Sequence, residues 1–365
     1  MKIVLALDSF KGCLTSTEVE QTLAEALADK GIDTLQLPMS DGGEGMLDAF
    51  IAALQGKLII TTVHDPLMRK ISAQYGITDD GTAVIETASA CGLTLMKESE
   101  RNPLKATTFG VGELIADAIK NGCRKFIIGL GGSGTSDAGK GMLQALAERF
   151  AAGGIIENLP ESKLKECVFT LACDVRNPLC GPEGAAHTFA PQKGATPVMV
   201  AELEERARLF AEESARKLGR DASQKPGAGA AGGLGYAFMQ YLSAGVASGA
   251  DLLLDLIGFD RVIKDADLII TGEGHADKQT LMGKLPERIL KRARQQQLPV
   301  WLIAGQISES QTLKAAGFSQ VASLTPSGME LHEALRLDTA KTNIRNWVER
   351  TFSDVPQAGS YIRQL

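Results

Sequence analysis

The sequence predicts a two-domain α/β protein: a doubly wound, Rossmann-like parallel-sheet domain with a second, mixed-sheet α/β domain inserted into it. Three observations predict this. Near both ends of the chain, short apolar runs alternate with helical patterns, as strands joined by crossover helices do. Between residues 57 and 90 three β-like runs follow one another with no helix between them, which reads as an antiparallel meander. The length of 365 residues suits about two domains of ~150 residues.

The elements follow in order. KIVLALD (2–8) reads as a buried first strand, and TSTEVEQTLAEALADK (15–30) as a helix. Thr15 or Ser16 can cap that helix, and Glu18 suits its first turn. TLQLPMSD (34–41) is a second strand and EGMLDAFIAAL (44–54) a second helix. LIITTVHD, ISAQYGIT and TAVIETAS form the meander. A helix over 111–120, the strand KFIIGLGG, a helix after 139, the strand VFTLACDV and a charged helix around 202–218 come next. In the last, Glu204/Arg208 and Glu213/Lys217 have the four-residue spacing of exposed helical ion pairs. From about 250 the alternation is regular again: strands ADLIITGEG, PVWLIAG and QVASLTP, with helices near 285–297, 311–317 and 331–351. The boundaries expected are 1–60 plus 250–365 for the Rossmann-like domain and 61–249 for the insert. An uninterrupted pair of domains is the alternative.

Composition narrows the function. Hydrophobic residues at 44% and charged residues at 22% suffice for real cores. The net charge of −6, without a Lys/Arg run, argues against nucleic acid as a partner. No stretch approaches a membrane span, and MKIVLALD is too short for a signal-peptide core. Cysteines 13, 91, 123, 167, 173 and 180 lack paired metal spacing and are expected as free thiols in a cytoplasmic protein. The 39 glycines exceed the usual share of roughly 7%, and more than half lie in a few short segments.

Those segments carry the candidate chemistry. GLGGSGTSDAGKG (129–141) follows a strand and opens a helix, a placement that favours an anion on Gly131, Gly132, Ser133 and Gly134 or, alternatively, a tight packing turn. It resembles a P-loop, but Gly141 stands where a magnesium-binding Ser or Thr is required. In SDGGEG (40–45), Asp41 and Glu44 suit either Mg²⁺ or a helix cap. ITGEGHADKQT (270–280) repeats that arrangement with Gly272, Glu273, Gly274, Asp277 and Lys278. LDSFKG (7–12) puts Asp8, Ser9 and Lys11 at the end of strand one. Carboxylates there lie where open α/β sheets bind ligands. PGAGAAGGLG (226–235), with Gly229 and Gly232, has only backbone to offer, to a ligand or to a neighbouring helix. The loop 172–195 supplies Asp174, Arg176, Asn177, His187, Gln192 and Lys193. No serine elbow, zinc helix or dinucleotide fingerprint appears. Carboxylates, lysines and backbone amides are what phosphoryl transfer requires.

DSFKG (8–12), DGGEG (41–45), GLGGS (129–133), ACDVRNPLCGPEGAA (172–186), PQKGA (191–195), PGAGAAGGLG (226–235) and ITGEG (270–274) together resemble the bacterial glycerate kinases of type I, in order and across nearly the whole chain. The resemblance implies ATP- and Mg²⁺-dependent phosphorylation of D-glycerate, on the 2-hydroxyl rather than the 3-hydroxyl, and a two-domain fold with one domain inserted in the other. The chain departs from the family pattern at GTSD (134–137), where Ser136 replaces the usual Asn, and at His275–Ala276, where Arg with Ile or Val is usual. If that arginine contacts phosphate in relatives, affinity here is either lower or rests on Lys278.

On this basis glycerate and ATP·Mg²⁺ are expected in the cleft between the domains. Asp174 is the first candidate for the carboxylate facing the attacking hydroxyl, Asp8 the second, and Lys11 a catalytic cation. Lys11 and Arg176, with Asn177, Gln192 and Lys193, are candidates for glycerate or the transferring phosphoryl group. Gly131, Gly132, Ser133, Gly134, Gly272, Gly274, Lys278, Gly229 and Gly232 are candidates for nucleotide phosphates, and Asp41, Glu44, Glu273 and Asp277 for metal. A homo-oligomer is left open. The alternatives are a sugar-phosphate or nucleotide-sugar transferase, and a non-catalytic small-anion sensor.

Overall fold

The structure is a computed structural model that describes residues 1–10, 12–40, 45–54 and 56–353. Its strands are β1 (Lys2–Leu7), β2 (Asp33–Gln36), β3 (Lys57–His64), β4 (Lys70–Ile77), β5 (Thr82–Glu86), β6 (Lys125–Gly129), β7 (Val168–Ala172), β8 (Gly245–Ala247), β9 (Leu268–Ala276), β10 (Val300–Ile307) and β11 (Gln320–Ser323). They form two sheets, and the chain divides into two units. One unit comprises Met1–Asp41, Asp48–Ala53 and Ala250–Leu365; the other comprises Gly42–Leu47 and Leu54–Gly249.

The first unit holds a wholly parallel sheet of order β11-β10-β9-β1-β2. The chain runs outward from β1 to β2, then returns to β9 on the other side of β1 and proceeds away from it. Such a reversal opens a crevice at the carboxyl ends of the two central strands. From Ile3 to Leu7 every residue of β1 is buried, because helices cover both faces of a doubly wound sheet. Ile3, Leu5, Leu7, Ile270 and Ile303 pack with Val19, Leu23 and Leu27 of helix Ser16–Ala28 and with Ile344, Trp347 and Val348 of helix Leu337–Thr351. Each such side chain contributes about 1.5–3 kcal/mol by leaving water. Thr15 caps helix Ser16–Ala28 in a reciprocal capping box with Glu18, which satisfies two otherwise orphaned N–H groups.

The second unit holds a mixed sheet of order β3-β4-β5-β6-β7-β8. β3, β4 and β5 form the antiparallel meander, and β5 to β8 run parallel. Its core centres on Tyr75, Phe126, Ile128, Phe169, Leu171 and Phe238, with Phe126 and Phe169 stacked at 4.7 Å.

Several local expectations need correction. The second strand stops at Gln36, short of the apolar pattern. The C-terminal helix is two pieces, Leu331–Ala334 and Leu337–Thr351. Helices Ala230–Leu242 and Gly249–Leu256 are present where none was expected, the first concealed by its glycines. In helix Pro197–Leu218, Lys217 pairs with Glu213 at 2.8 Å as its spacing suggests. Glu204 instead accepts from the Gly181 N–H at 2.6 Å, and Arg208 pairs with Glu205 and Glu212. A loop N–H with no other partner outcompetes a solvated guanidinium. All six cysteines are free thiols. No helix among the described residues is long and apolar enough to cross a membrane.

Candidate functional site

In the first unit the crevice at the carboxyl ends of the parallel strands is a cavity of about 980 Å³. Asp8, immediately after β1, is buried there; its N–H donates to the Gly272 carbonyl at 2.9 Å, and its Oδ1 accepts from the Ser9 N–H at 2.7 Å. Glu273 is buried in β9 and accepts from Thr280 Oγ1 and Lys284 Nζ, both at 2.7 Å. Lys284 therefore neutralises Glu273. Asp277 caps the short turn Lys278–Leu281, accepting from the Gln279 N–H at 2.7 Å. Gly274 lines the cavity together with Asp8, Glu273 and Asp277. Gly272 is buried, and a Cβ on it would sit 2.1 Å from the Ile303 carbonyl oxygen, so its glycine serves close strand pairing. Lys278 is exposed and is not among the cavity-lining residues. His275 lies with Nε2 4.0 Å from Asp277 and 3.4 Å from Ser308 Oγ. Lys11, Asp41 and Glu44 lie outside the described residues.

In the second unit the loop after β6 carries Gly131 and Gly132 exposed at its crest, with Ser133 and Gly134 buried behind them. The Gly134 N–H donates to the Cys91 carbonyl at 2.7 Å, and the Leu93 N–H to the Gly132 carbonyl at 3.0 Å. The N-terminus of the next helix, Lys140–Phe150, holds the chain's own carboxylate. Asp137 accepts from the Gly139, Gly141 and Thr108 N–H groups and from the Thr108 hydroxyl. The position that separates this segment from a P-loop has a packing cause, since a Cβ at Gly141 would meet Thr107 Oγ1 at 2.0 Å.

Lys193 is 2% exposed and reaches into this loop, donating to Ser133 Oγ at 3.0 Å and to the Thr135 carbonyl at 2.6 Å. Burial lowers its ammonium to about 8, against the opposing pull of Asp137. Burial in turn pushes the neighbouring Cys91 thiol up to about 12, so it faces Lys193 uncharged.

The segment 226–235 is laced to the other loops by backbone. Gly229 donates to the Asn177 carbonyl at 2.9 Å, and Gly232 accepts from the Ala138 N–H at 3.0 Å. A Cβ on Gly229 would meet the Pro178 carbonyl oxygen at 2.3 Å, and one on Gly232 the Thr135 carbonyl oxygen at 2.1 Å. Of the two uses open to these glycines, close packing is the one on view. Asn177 also braces its own loop, donating to the Glu183 carbonyl at 2.7 Å. Asp174, Arg176 and Gln192 are exposed, and so is His187 on helix Ala185–Phe189.

Two residues lacked any sequence signal. Lys284 shares no motif with Glu273, 11 positions away. Arg101 is partly buried, its Nε lies out of reach of water, and that nitrogen has no partner. Its backbone packs against Gly194, so that a Cβ there would lie 3.4 Å from its own Cβ. The neighbouring loop arginine, Arg69, by contrast holds Asp65, Glu100 and the Leu95 carbonyl.

Parallel strands that end in polar loops, with a crevice of ligand size at a strand-order reversal, define an α/β protein built to hold a small molecule at the carboxyl edge of its sheet. The chain belongs to the glycerate kinase family, whose profile matches residues 3–355, and is therefore a kinase. It is 39% identical to the glycerate kinase of Bacillus subtilis (strain 168), over 97% of both chains. It is also 39% identical to the glycerate 2-kinase of Escherichia coli (strain K12), over 92% of this chain and 93% of that one. A crystal structure of a protein from Salmonella typhimurium LT2 superimposes with a TM-score of 0.82 at 37% identity, covering 97% of both chains.

Proposed function

We propose that the chain transfers the γ-phosphoryl group of ATP to the 2-hydroxyl of D-glycerate, giving 2-phosphoglycerate, as a cytoplasmic enzyme. The observation that carries this reading is the end-to-end family match, with a glycerate 2-kinase among the relatives. Phosphoryl transfer asks a protein for positioning, positive charge and a carboxylate that receives the hydroxyl proton. Asp174 is the proposed proton acceptor and Asp8 the second choice. Arg176 and Gln192, open to solvent, suit the glycerate carboxylate and hydroxyls, and Lys11 belongs to the same proposal. Arg101 adds a guanidinium available for an anionic group of the substrate. Lys193 and Asn177 serve by holding the loops in shape.

Magnesium needs only one or two carboxylates when it travels on a nucleotide. Asp8 and Asp277 line one cavity and would suit that role, with Asp41 and Glu44 as further candidates. Glu273 fits it less well, both its oxygens being engaged by Thr280 and Lys284. Bound there, the ion would shield phosphate charge. Gly131 and Gly132 are the proposed backbone contacts to phosphate.

A coupled assay tests the reading: ADP should form only when D-glycerate, ATP and Mg²⁺ are all present. Binding without turnover, or turnover only with sugar acceptors, would overturn it.

A further inference from the structure

The cavity at the carboxyl edge of the parallel sheet is large for a three-carbon acid, yet falls within the range of about 300–1,000 Å³ typical of ligand pockets. The lining mixes polar side chains, among them Asp8, Ser9, Asp277 and Lys284, with the apolar Leu324, Met329, Leu331, Leu335 and Ala340. Leu331 and Leu335 are 64% and 42% exposed, so this apolar wall lies open to whatever enters. Three amide side chains line the cavity: Gln279 and Gln306 are exposed, and Asn343 is buried. Asn343, on helix Leu337–Thr351, is only 5% exposed and lines the cavity. Its Nδ2 donates to Met329 Sδ at 3.6 Å, a poor acceptor for a buried amide. Side chains on a helix lean toward its N-terminus, which points Asn343 toward the small Ala340 one turn earlier, also on the cavity lining.

We propose that this cavity takes the nucleoside end of the phosphoryl donor. The base lies on the leucine side chains, Asn343 reads its hydrogen-bonding edge, and Asp8, Ser9, Asp277 and Lys284 face the ribose and phosphates. The assignment rests on the kinase reading and specifies which residues hold the donor. An amide offers one donor and one acceptor, which matches the adjacent amino group and ring nitrogen of adenine. Replacing it by a carboxylate removes the donor, which penalises adenine and suits the paired N–H groups of guanine.

The test uses the full chain and ADP as the probe, titrated calorimetrically without glycerate. Asn343→Asp should bind ADP about 10- to 100-fold more weakly, the discrimination a good bidentate pair supplies, and its preference should move from ATP toward GTP. Leu331→Asp, at an exposed position that does not threaten folding, should also weaken ADP binding about tenfold, on the scale of a buried leucine. The KM for D-glycerate should change by less than about twofold in either variant. Unchanged ADP affinity in both variants, absence of ADP binding to the parent chain, or competition between D-glycerate and ADP would overturn the assignment. If the parent binds ADP and both variants weaken that binding, but glycerate is not phosphorylated, the kinase reading fails and the nucleoside site stands. If it phosphorylates glycerate while both variants bind ADP normally, the site fails and the kinase reading stands.

Discussion

Lys193 Nζ donates to the carbonyl oxygen of Thr135 at 2.6 Å, tying the turn Pro191–Lys193 to the glycine loop from 58 residues away in sequence. The loop after β6 is therefore shaped from inside by a buried cation as well as by its glycines. Losing that cation should leave the Thr135 carbonyl and the Ser133 hydroxyl without a partner, at a cost of about 1–3 kcal/mol for each group left unsatisfied.

The titration of Lys193 gives this tie a pH signature. Its folded-state value, about 8, lies below the ordinary 10.5. Between these values the unfolded chain holds a proton that the folded chain has released, so this group's contribution to stability rises with pH across that window. Below pH 8 the burial penalty is fully present. Lys193→Met has no such group, so its stability deficit against the parent should grow from pH 7 to pH 9.5 in urea melts. A deficit that stays constant or shrinks would contradict the assignment.

Gly232 has φ +66°, and a Cβ on it would sit 2.1 Å from the Thr135 carbonyl oxygen. Gly232→Ala therefore combines a left-handed backbone with a clash that only loop movement can relieve. We expect a loss of roughly 2–4 kcal/mol in stability, the upper range of strain and overpacking, together with reduced turnover. A melting temperature within about one degree of the parent, on the scale where 1 kcal/mol moves it by several degrees, would show that the loops are not locked together here.

Glu20 lies fully buried on helix Ser16–Ala28 and accepts from the Leu7 N–H at 2.9 Å, while its Oε2 has no partner. Burial raises its carboxyl well above the usual 4.5, outweighing the backbone bonds from Leu7 and Leu37. As pH climbs from 4.5 toward the raised value, the unfolded chain loses a proton that the folded chain keeps, so stability falls. Glu20→Gln retains an acceptor without the charge. It should be more stable than the parent at pH 8, with the difference closing toward pH 4 in thermal melts. A pH-independent difference would refute this.

The fold was legible in the sequence wherever periodicity was strong and local. Continuous apolar runs marked β1 and β9, and the absence of helical spacing between 57 and 86 marked the meander. The site was less legible because its contacts are distant in sequence. The motif PQKG identifies Lys193 as a polar residue of interest, but no spacing rule shows that it is buried against Ser133, 60 residues away. Gly229 and Gly232 read equally as ligand contacts or packing residues until the carbonyls they touch are known. Asn343 lies in an ordinary amphipathic helix and only the cavity gives it meaning.

Asp174→Asn should lower turnover at least about 100-fold if Asp174 receives the hydroxyl proton, the usual span for one acid–base group. The KM for ATP should stay near the parent's. Near-parental turnover would move the role to Asp8. Arg101→Met should instead raise the KM for D-glycerate about tenfold or more, on the scale of a charge-assisted hydrogen bond, with kcat less affected. An unchanged KM would remove Arg101 from the substrate.

Phosphorus NMR of a reaction containing the protein, ATP, Mg²⁺ and D-glycerate reads both the donor consumed and the hydroxyl phosphorylated. ATP should be consumed only with D-glycerate present, and the new resonance should be that of 2-phosphoglycerate. A 3-phosphoglycerate resonance would contradict the proposed position of attack, and no glycerate-dependent product would contradict the reaction itself.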